Sequence, residues 1–288
     1  EKLKEKNGFY YYNDFPFIIS GEVSLMYTQG KGRRIHLVLL VPSIEIAERI
    51  NAYLDTKGRR DYDGRPIFKI PANEFTRAMR EISGDIEIIP AHAWTPWFGV
   101  FGSCSGFDSL REAFGEEFEH IYAIETGMSS DPAMNWKIEE LNNKSIVSFS
   151  DSHSFWPYRM GREATIFYKT DSYKGIIEQI RNNSFFGTIE TDPAYGKYHW
   201  DGHRLCNFSS SPEESRRLNG ICPVCKKPLT IGVEYRVEEL KSNPEGFKPA
   251  GAKPYFILLP LHEVIALLIN NNNLNSVSVW KIYNELIK

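Results

Sequence analysis

The chain has 288 residues, of which 42% are hydrophobic and 25% charged, and a formal net charge of −3. That suffices for one large domain and a small appendage, and it excludes a disordered or fibrous chain. No apolar run approaches the roughly 20 residues that cross a bilayer, so no membrane role is expected and, without a secretory signal, the cytoplasm is the expected compartment.

In chain order, 15–20 (FPFIIS), 22–28 (EVSLMYT) and 35–41 (IHLVLLV) read as strands, the last two joined by a Gly-punctuated turn at 30–34. Ser43 can cap a helix over 43–55, and a second helix fits 73–83. Strand 86–90, helix 107–115, strand 121–125, helix 132–141, strand 145–150, strand 164–168 and helix 172–183 follow. This alternation predicts an α/β fold with a largely parallel sheet, open or closed into a barrel. From about 190 the texture changes to Gly-, Pro- and Ser-rich loops around cysteines, and 261–271 and 276–288 return to helix. The expected division is 1–190, 191–245 for a small metal-binding module, and 246–288 for a C-terminal helical segment.

Charge is uneven along that division. Residues 1–153 hold 17 Lys+Arg against 23 Asp+Glu, and 154–260 hold 15 against 12. An acidic part suits cations, and a mildly basic part suits phosphate.

Several strands run into residues that bind metal. Strand 86–90 leads to His92, 121–125 ends on Glu125, and 145–150 leads to Asp151 and His153, while Glu22 and His36 begin two earlier strands. Strand ends gather at one face of an α/β fold, so residues distant in sequence can converge there. In Asp-Ser-His, alternate residues of an extended segment point to one side, so Asp151 and His153 are expected to face one cavity. Mixed His/carboxylate sets suit Zn²⁺, Mn²⁺ or Fe, and two or three divalent ions (Zn²⁺, Mn²⁺ or Mg²⁺) would activate water and neutralise a phosphodiester.

The second half carries a different signal. His203-x2-Cys206 precedes Cys222-Pro-Val-Cys225. Two close pairs of soft ligands are the pattern of a closed, structural zinc site. His199 is the competing histidine, and the x2 spacing favours His203. Arg204, Arg216, Arg217, Lys226 and Lys227 surround the module and suit a phosphate backbone. Elsewhere, 94–102 (WTPWFGVFG) is rich in aromatics: Trp94, Trp97, Phe98 and Phe101 could wedge into a duplex or stack on an extruded base, or instead pack as a core corner. Arg59 and Arg60 lie in an Arg/Gly loop at 58–66 that suits phosphate contact, and Arg162 could orient a scissile phosphate.

The blocks PAHAWTPWFG (90–99), AIETGMSSDPAMNW (123–136) and SFSDSHSFWPYRMGREATIF (148–167) resemble the polymerase-and-histidinol-phosphatase superfamily, and more narrowly the endonuclease Q family. The resemblance runs from about Phe15 to about Ile269. It implies a distorted β/α barrel with a polynuclear metal site, and nicking of DNA on the 5′ side of deaminated bases (uracil, hypoxanthine, xanthine) and abasic sites. On that reading Glu22 is a bridging carboxylate, His92 a ligand, Asp151 and His153 the closing pair, and His36 a further metal-site position. Glu125 either joins them or supports them from behind.

The superfamily opens with an H-x-H motif. The histidines here are His36, His92, His120, His153, His199, His203 and His262, and none forms one. The first strands are therefore expected to precede Glu1, leaving the cluster incomplete within this stretch. Three functions stay open: a repair endonuclease on double- or single-stranded damaged DNA, a small-molecule phosphatase, and a non-catalytic DNA-binding fragment. The chain reads as a monomer. Its C-terminal helices would meet either a replication clamp or the DNA itself.

Overall fold

The computed structural model describes residues 3–61 and 65–288. Strands β1 (Lys4–Lys6), β2 (Phe9–Tyr12) and β3 (Phe15–Phe17) form a small antiparallel sheet. The long strands β4 (Ile19–Gln29) and β5 (Lys31–Val41) follow as a hairpin turned at Gly30, whose φ of 69° glycine adopts readily. Next come α1 (Ile44–Asp55), β6 (Ile67–Phe68), α2 (Ala72–Ile82) and β7 (Glu87–Pro90). After these lie α3 (Leu110–Phe114), β8 (Ala123–Glu125), α4 (Pro132–Asn135), β9 (Ser145–Val147), β10 (Ala164–Ile166), α5 (Tyr173–Arg181) and β11 (Gly187–Glu190). The chain ends with β12 (Asp201–His203), β13 (Phe208–Ser210), α6 (Pro212–Arg217), α7 (Val233–Leu240), β14 (Tyr255–Ile257), α8 (Leu261–Leu268) and α9 (Val277–Leu286). Among the described residues no helix is long and apolar enough to cross a membrane.

The fold is mixed α/β; the main sheet is not largely parallel as expected, and among the described residues the sheets are open. The main sheet has the order β6-β4-β5-β7, in which β5 is antiparallel to both neighbours and only β4 and β6 run parallel. Parallel pairing recurs between β8 and β9 and between β11 and β14, and among the described residues the sheets are separate and open. The reason is local: a link as short as Gly30 can join only antiparallel neighbours, whereas a parallel pair needs a crossover. Two expected helices are shorter for equally local reasons. Ser109 accepts from the Glu112 amide at 3.0 Å and so starts α3 late, and the helix begun by the Asp131 cap stops at Asn135.

Alternation along the main sheet feeds two cores. Leu37, Leu39 and Ile88 face α1 and α2, where Phe75 and Met79 are fully buried. Leu40 and Ile89 face the other way, against Ile177 and Ile180 of α5. Val233 and Val237 of α7 join the first core, so the segment after the cysteines is packed onto the main body. The face of β5 that sends Val38 and Leu40 toward the second core carries His36 at its other end, where apolar cover stops and a cleft opens.

Candidate metal centre

The hairpin register sets the first part of the site. Ser24 pairs with His36 and Glu22 with Val38, so Glu22 and His36 are diagonal neighbours on one face. His92 follows β7, which pairs with the other edge of β5. One oxygen, Glu22 Oε1, lies 3.0 Å from His36 Nδ1 and 3.5 Å from His92 Nε2, and the two ring nitrogens are 3.1 Å apart. Ligands about 2.0–2.2 Å from one shared ion at angles of 90–110° sit about 3.0–3.5 Å from each other. The three residues could therefore hold a divalent cation. Ser24 Oγ, buried beside them on the cleft wall, has no hydrogen-bond partner among the described residues and supports a polar occupant.

Electrostatics point the same way. Burial works against charge on Glu22, but hydrogen bonds with His36, His92 and Arg65 outweigh it and hold the carboxyl well below the usual carboxylate range. Burial depresses the basicity of His36 despite its contact with Glu22, which favours the neutral ring that a metal needs. Burial also opposes charge on His92, yet Glu22, Glu125 and Asp151 together raise its pKa.

Glu125 supports this set rather than joining it. Its buried carboxylate accepts the His92 amide at 2.5 Å, and burial pushes its pKa up to about 7. His92 has φ 32°, and a Cβ on the facing Gly127 would lie 2.8 Å from His92 Cβ. Glycine at 127, itself at φ 57°, is what lets the histidine loop close in. Phe98 (φ 71°) stacks on His36 with ring centroids 4.4 Å apart, and its carbonyl accepts the His36 amide. Unusual backbone at His92, Phe98 and Asp151 (φ 39°) thus collects at one cleft.

Asp151 and His153 line that cleft, about 1010 Å³ in volume, with Glu22 and His36. They are exposed, and they stand outside the three-residue cluster. The argument from strand alternation does not hold for them. β9 stops at Val147, and the pair is instead arranged by a turn in which His153 Nδ1 lies 2.8 Å from the Asp151 carbonyl.

Other expectations are corrected. Trp94 is fully buried: it stacks on buried Phe101 at 4.7 Å and donates to Asn135 Oδ1 at 2.7 Å, so it is a core corner and no DNA wedge. Trp97 is exposed, with Arg34 over its ring. Arg162 turns away from the cleft to Glu163 Oε1 (2.7 Å) and Met128 Sδ. Arg59 and Arg60 are exposed and engage Asp61 and Asp55. Residues 62–64 of their loop lie outside the described residues. The third arginine of that loop is the one that reaches the site: Arg65 donates to Glu22 Oε1 at 2.8 Å. It does so because the chain enters β6, the parallel neighbour of β4, just after it.

The second cluster assembles as its spacing suggested. His203 ends β12, Cys206 follows in a tight turn, and Cys222–Cys225 forms a knuckle in which the Lys226 amide donates to the Cys222 carbonyl at 2.9 Å. The four ligand atoms lie within 4.8 Å of one another. Cys225 Sγ is 3.6 Å from His203 Nδ1, close to the roughly 3.6 Å edge of a tetrahedron with typical Zn–S and Zn–N lengths. The cluster could hold a metal ion, and it takes His203 and not His199. Arg204, Lys226 and Lys227 are exposed around it.

Fold and clusters together define a mixed α/β protein with two separate side-chain groups able to hold metal. Among solved structures, the chain is similar to the crystal structure of the lesion-specific endonuclease PfuEndoQ from Pyrococcus furiosus, with TM-score 0.85 and 28% identity over 99% of this chain and 69% of that one. A structure of endonuclease Q in complex with a 27-mer duplex bearing an abasic lesion at the active site is similar at TM-score 0.86, again with 28% identity over 99% of this chain and 69% of that one. Among curated proteins, MJ0043 of Methanocaldococcus jannaschii, an uncharacterized protein, is 30% identical over 80% of this chain. YqxK of Bacillus subtilis, also uncharacterized, is 23% identical over 81%. The chain spans 28% of the first protein's length and 58% of the second's. No protein-family model matches.

Proposed function

We propose that this chain carries the catalytic part of a metal-dependent endodeoxyribonuclease that cuts 5′ to deaminated bases or abasic sites in DNA repair. The observation that carries this reading is the convergence of Glu22, His36 and His92, the first two lining an open cleft, within a fold similar to endonuclease Q. A neighbour of that fold holds lesion-bearing duplex at its active site.

Two or three divalent ions (Zn²⁺, Mn²⁺ or Mg²⁺) would supply an activated water and neutralise charge on the scissile phosphate. The chain's own residues prepare for that. Glu22 stays ionised and presents one oxygen to both imidazoles. Glu125 fixes the His92 backbone, and Phe98 fixes the ring plane of His36. Asp151 and His153 overhang the same cleft from a loop and would complete the ligand set. Arg65, already bonded to Glu22, is placed to meet a phosphate oxygen. With Trp94 buried, the aromatic surfaces left for an extruded base are Phe98, Trp97 and Phe155, the last 90% exposed on the cleft rim. A zinc ion at His203, Cys206, Cys222 and Cys225 would shape the basic module that grips the backbone.

The test is a direct comparison of uracil-, hypoxanthine- and abasic-containing duplexes with undamaged duplex and a generic phosphate monoester, each with Mn²⁺, Mg²⁺ or Zn²⁺. Nicking confined to damaged DNA supports the proposal. Monoester turnover without nicking would replace it with a phosphatase. A second reading, DNA binding without cleavage, is favoured by the position of Asp151 and His153 outside the three-residue cluster. Metal content separates the two: one zinc per chain fits binding alone, and three or more metals fit the nuclease.

A further inference from the structure

Residues 151–161 hang on the body in an unusual way. Every hydrogen bond described for them has both partners within 150–161: His153 with the Asp151 carbonyl, Ser152 with Ser154, the Arg159 amide with Trp156, and the Gly161 amide with Ser150. No strand or helix is described for the segment. What connects it to the rest is aromatic.

Tyr158 stacks on His262 of α8, with centroids 4.1 Å apart and planes at 25°, and lies 5.9 Å from Trp280 of α9. Trp156 approaches the same Trp280 at 5.8 Å. His262 is 2% exposed, and its Nδ1 has no hydrogen-bond partner among the described residues. A buried imidazole used for its ring face, and not for its nitrogens, is a packing platform. The platform is rigid because Trp280 also packs on Tyr283 at 4.8 Å, over the small core of Ile265 and Val279 that joins α8 to α9. The loop therefore has two sides. Asp151, His153 and Phe155 face the cleft, while Trp156 and Tyr158 meet the helices.

We propose that Tyr158, His262 and Trp280 are positioning residues: an aromatic clasp through which the C-terminal helix pair fixes the 151–161 loop, and with it Asp151 and His153, over the cleft. This rests on the reading of that pair as part of the active site. It also gives α8 and α9 a role in the site itself, besides any contact with DNA or a partner.

Tyr158 is the residue to change, because it sits on the loop and its loss leaves the α8–α9 core intact. The full chain is compared as wild type, Tyr158→Ala and Tyr158→Phe. Amide exchange over 151–162 should quicken about tenfold or more in the Ala variant, with Phe restoring it and the thermal midpoint nearly unchanged. Unchanged exchange in the Ala variant overturns the clasp. Mn²⁺ alone, titrated into each protein, should bind the Ala variant about tenfold or more weakly. For nicking, kcat should fall by a similar factor while KM for DNA moves less than about twofold. A loosened loop with unaltered Mn²⁺ affinity and kcat overturns the positioning role. A wild type that neither binds Mn²⁺ nor nicks would sink the proposed function instead, and the exchange comparison would still decide the clasp.

Discussion

Glu22 Oε1 lies 3.0 Å from His36 Nδ1 across the β4–β5 hairpin, a contact set by strand register. A slip of one residue would turn either side chain to the opposite face, into the apolar core. The centre of the candidate site is thus built into the most regular element of the fold, while Asp151 and His153 stand on a loop beside it.

Glu22→Gln keeps the size of the side chain and removes the anion that faces both imidazoles. Nicking should drop by about a hundredfold or more, with DNA affinity changed less than about twofold. Fluorescence anisotropy beside a nicking assay reads both. Full activity would remove Glu22 from the site.

Trp94→Ala distinguishes the buried reading from the wedge reading. Loss of a fully buried indole and its bond to Asn135 should cost about 3–5 kcal/mol of stability. Denaturant unfolding measures it. A stable variant that has lost only DNA affinity would restore the wedge.

Cys222→Ser should abolish zinc at the His203/Cys206/Cys222/Cys225 group and loosen the turns around it. Metal content by mass spectrometry and protease sensitivity within 200–230 report the two effects. Because the basic module is expected to act on binding, DNA affinity should weaken more than kcat. Retention of one zinc by the variant contradicts the ligand assignment.

Glu190 predicts a pH dependence of stability. It is fully buried, and burial outweighs hydrogen bonds from Thr188, Thr126 and Ser148 to push its pKa up to about 8, from 4.5. The folded chain keeps a proton that the unfolded chain releases near 4.5. The stabilising contribution is complete below about pH 4.5 and is lost as pH rises through about 8, an effect on the order of a few kcal/mol. Glu190→Gln, neutral throughout, should flatten that part of the curve in thermal melts taken between pH 5 and 9. An unchanged slope would assign it to other groups.

By itself the sequence determined much of the strand and helix texture and the spacing of the His203/Cys206/Cys222/Cys225 group, since these follow from periodicity and from ligand chemistry local to each motif, and it offered Glu22, His36 and His92 as candidate ligands whose meeting the sheet pairing decides. It also carried the family resemblance, through blocks around His92, Glu125 and Asp151. Tertiary structure alone decided that the main sheet is largely antiparallel and open, because strand direction depends on which neighbour a strand meets. It decided that Trp94 is core while Phe155 is rim, because the same aromatic pattern serves either place until burial is known. Arg65 reaches Glu22 only because β6 pairs with β4, and Tyr158 reaches His262 and Trp280 only because the C-terminal helices fold back beneath the loop. Contacts between residues a hundred positions apart are fixed by packing, which no local pattern encodes.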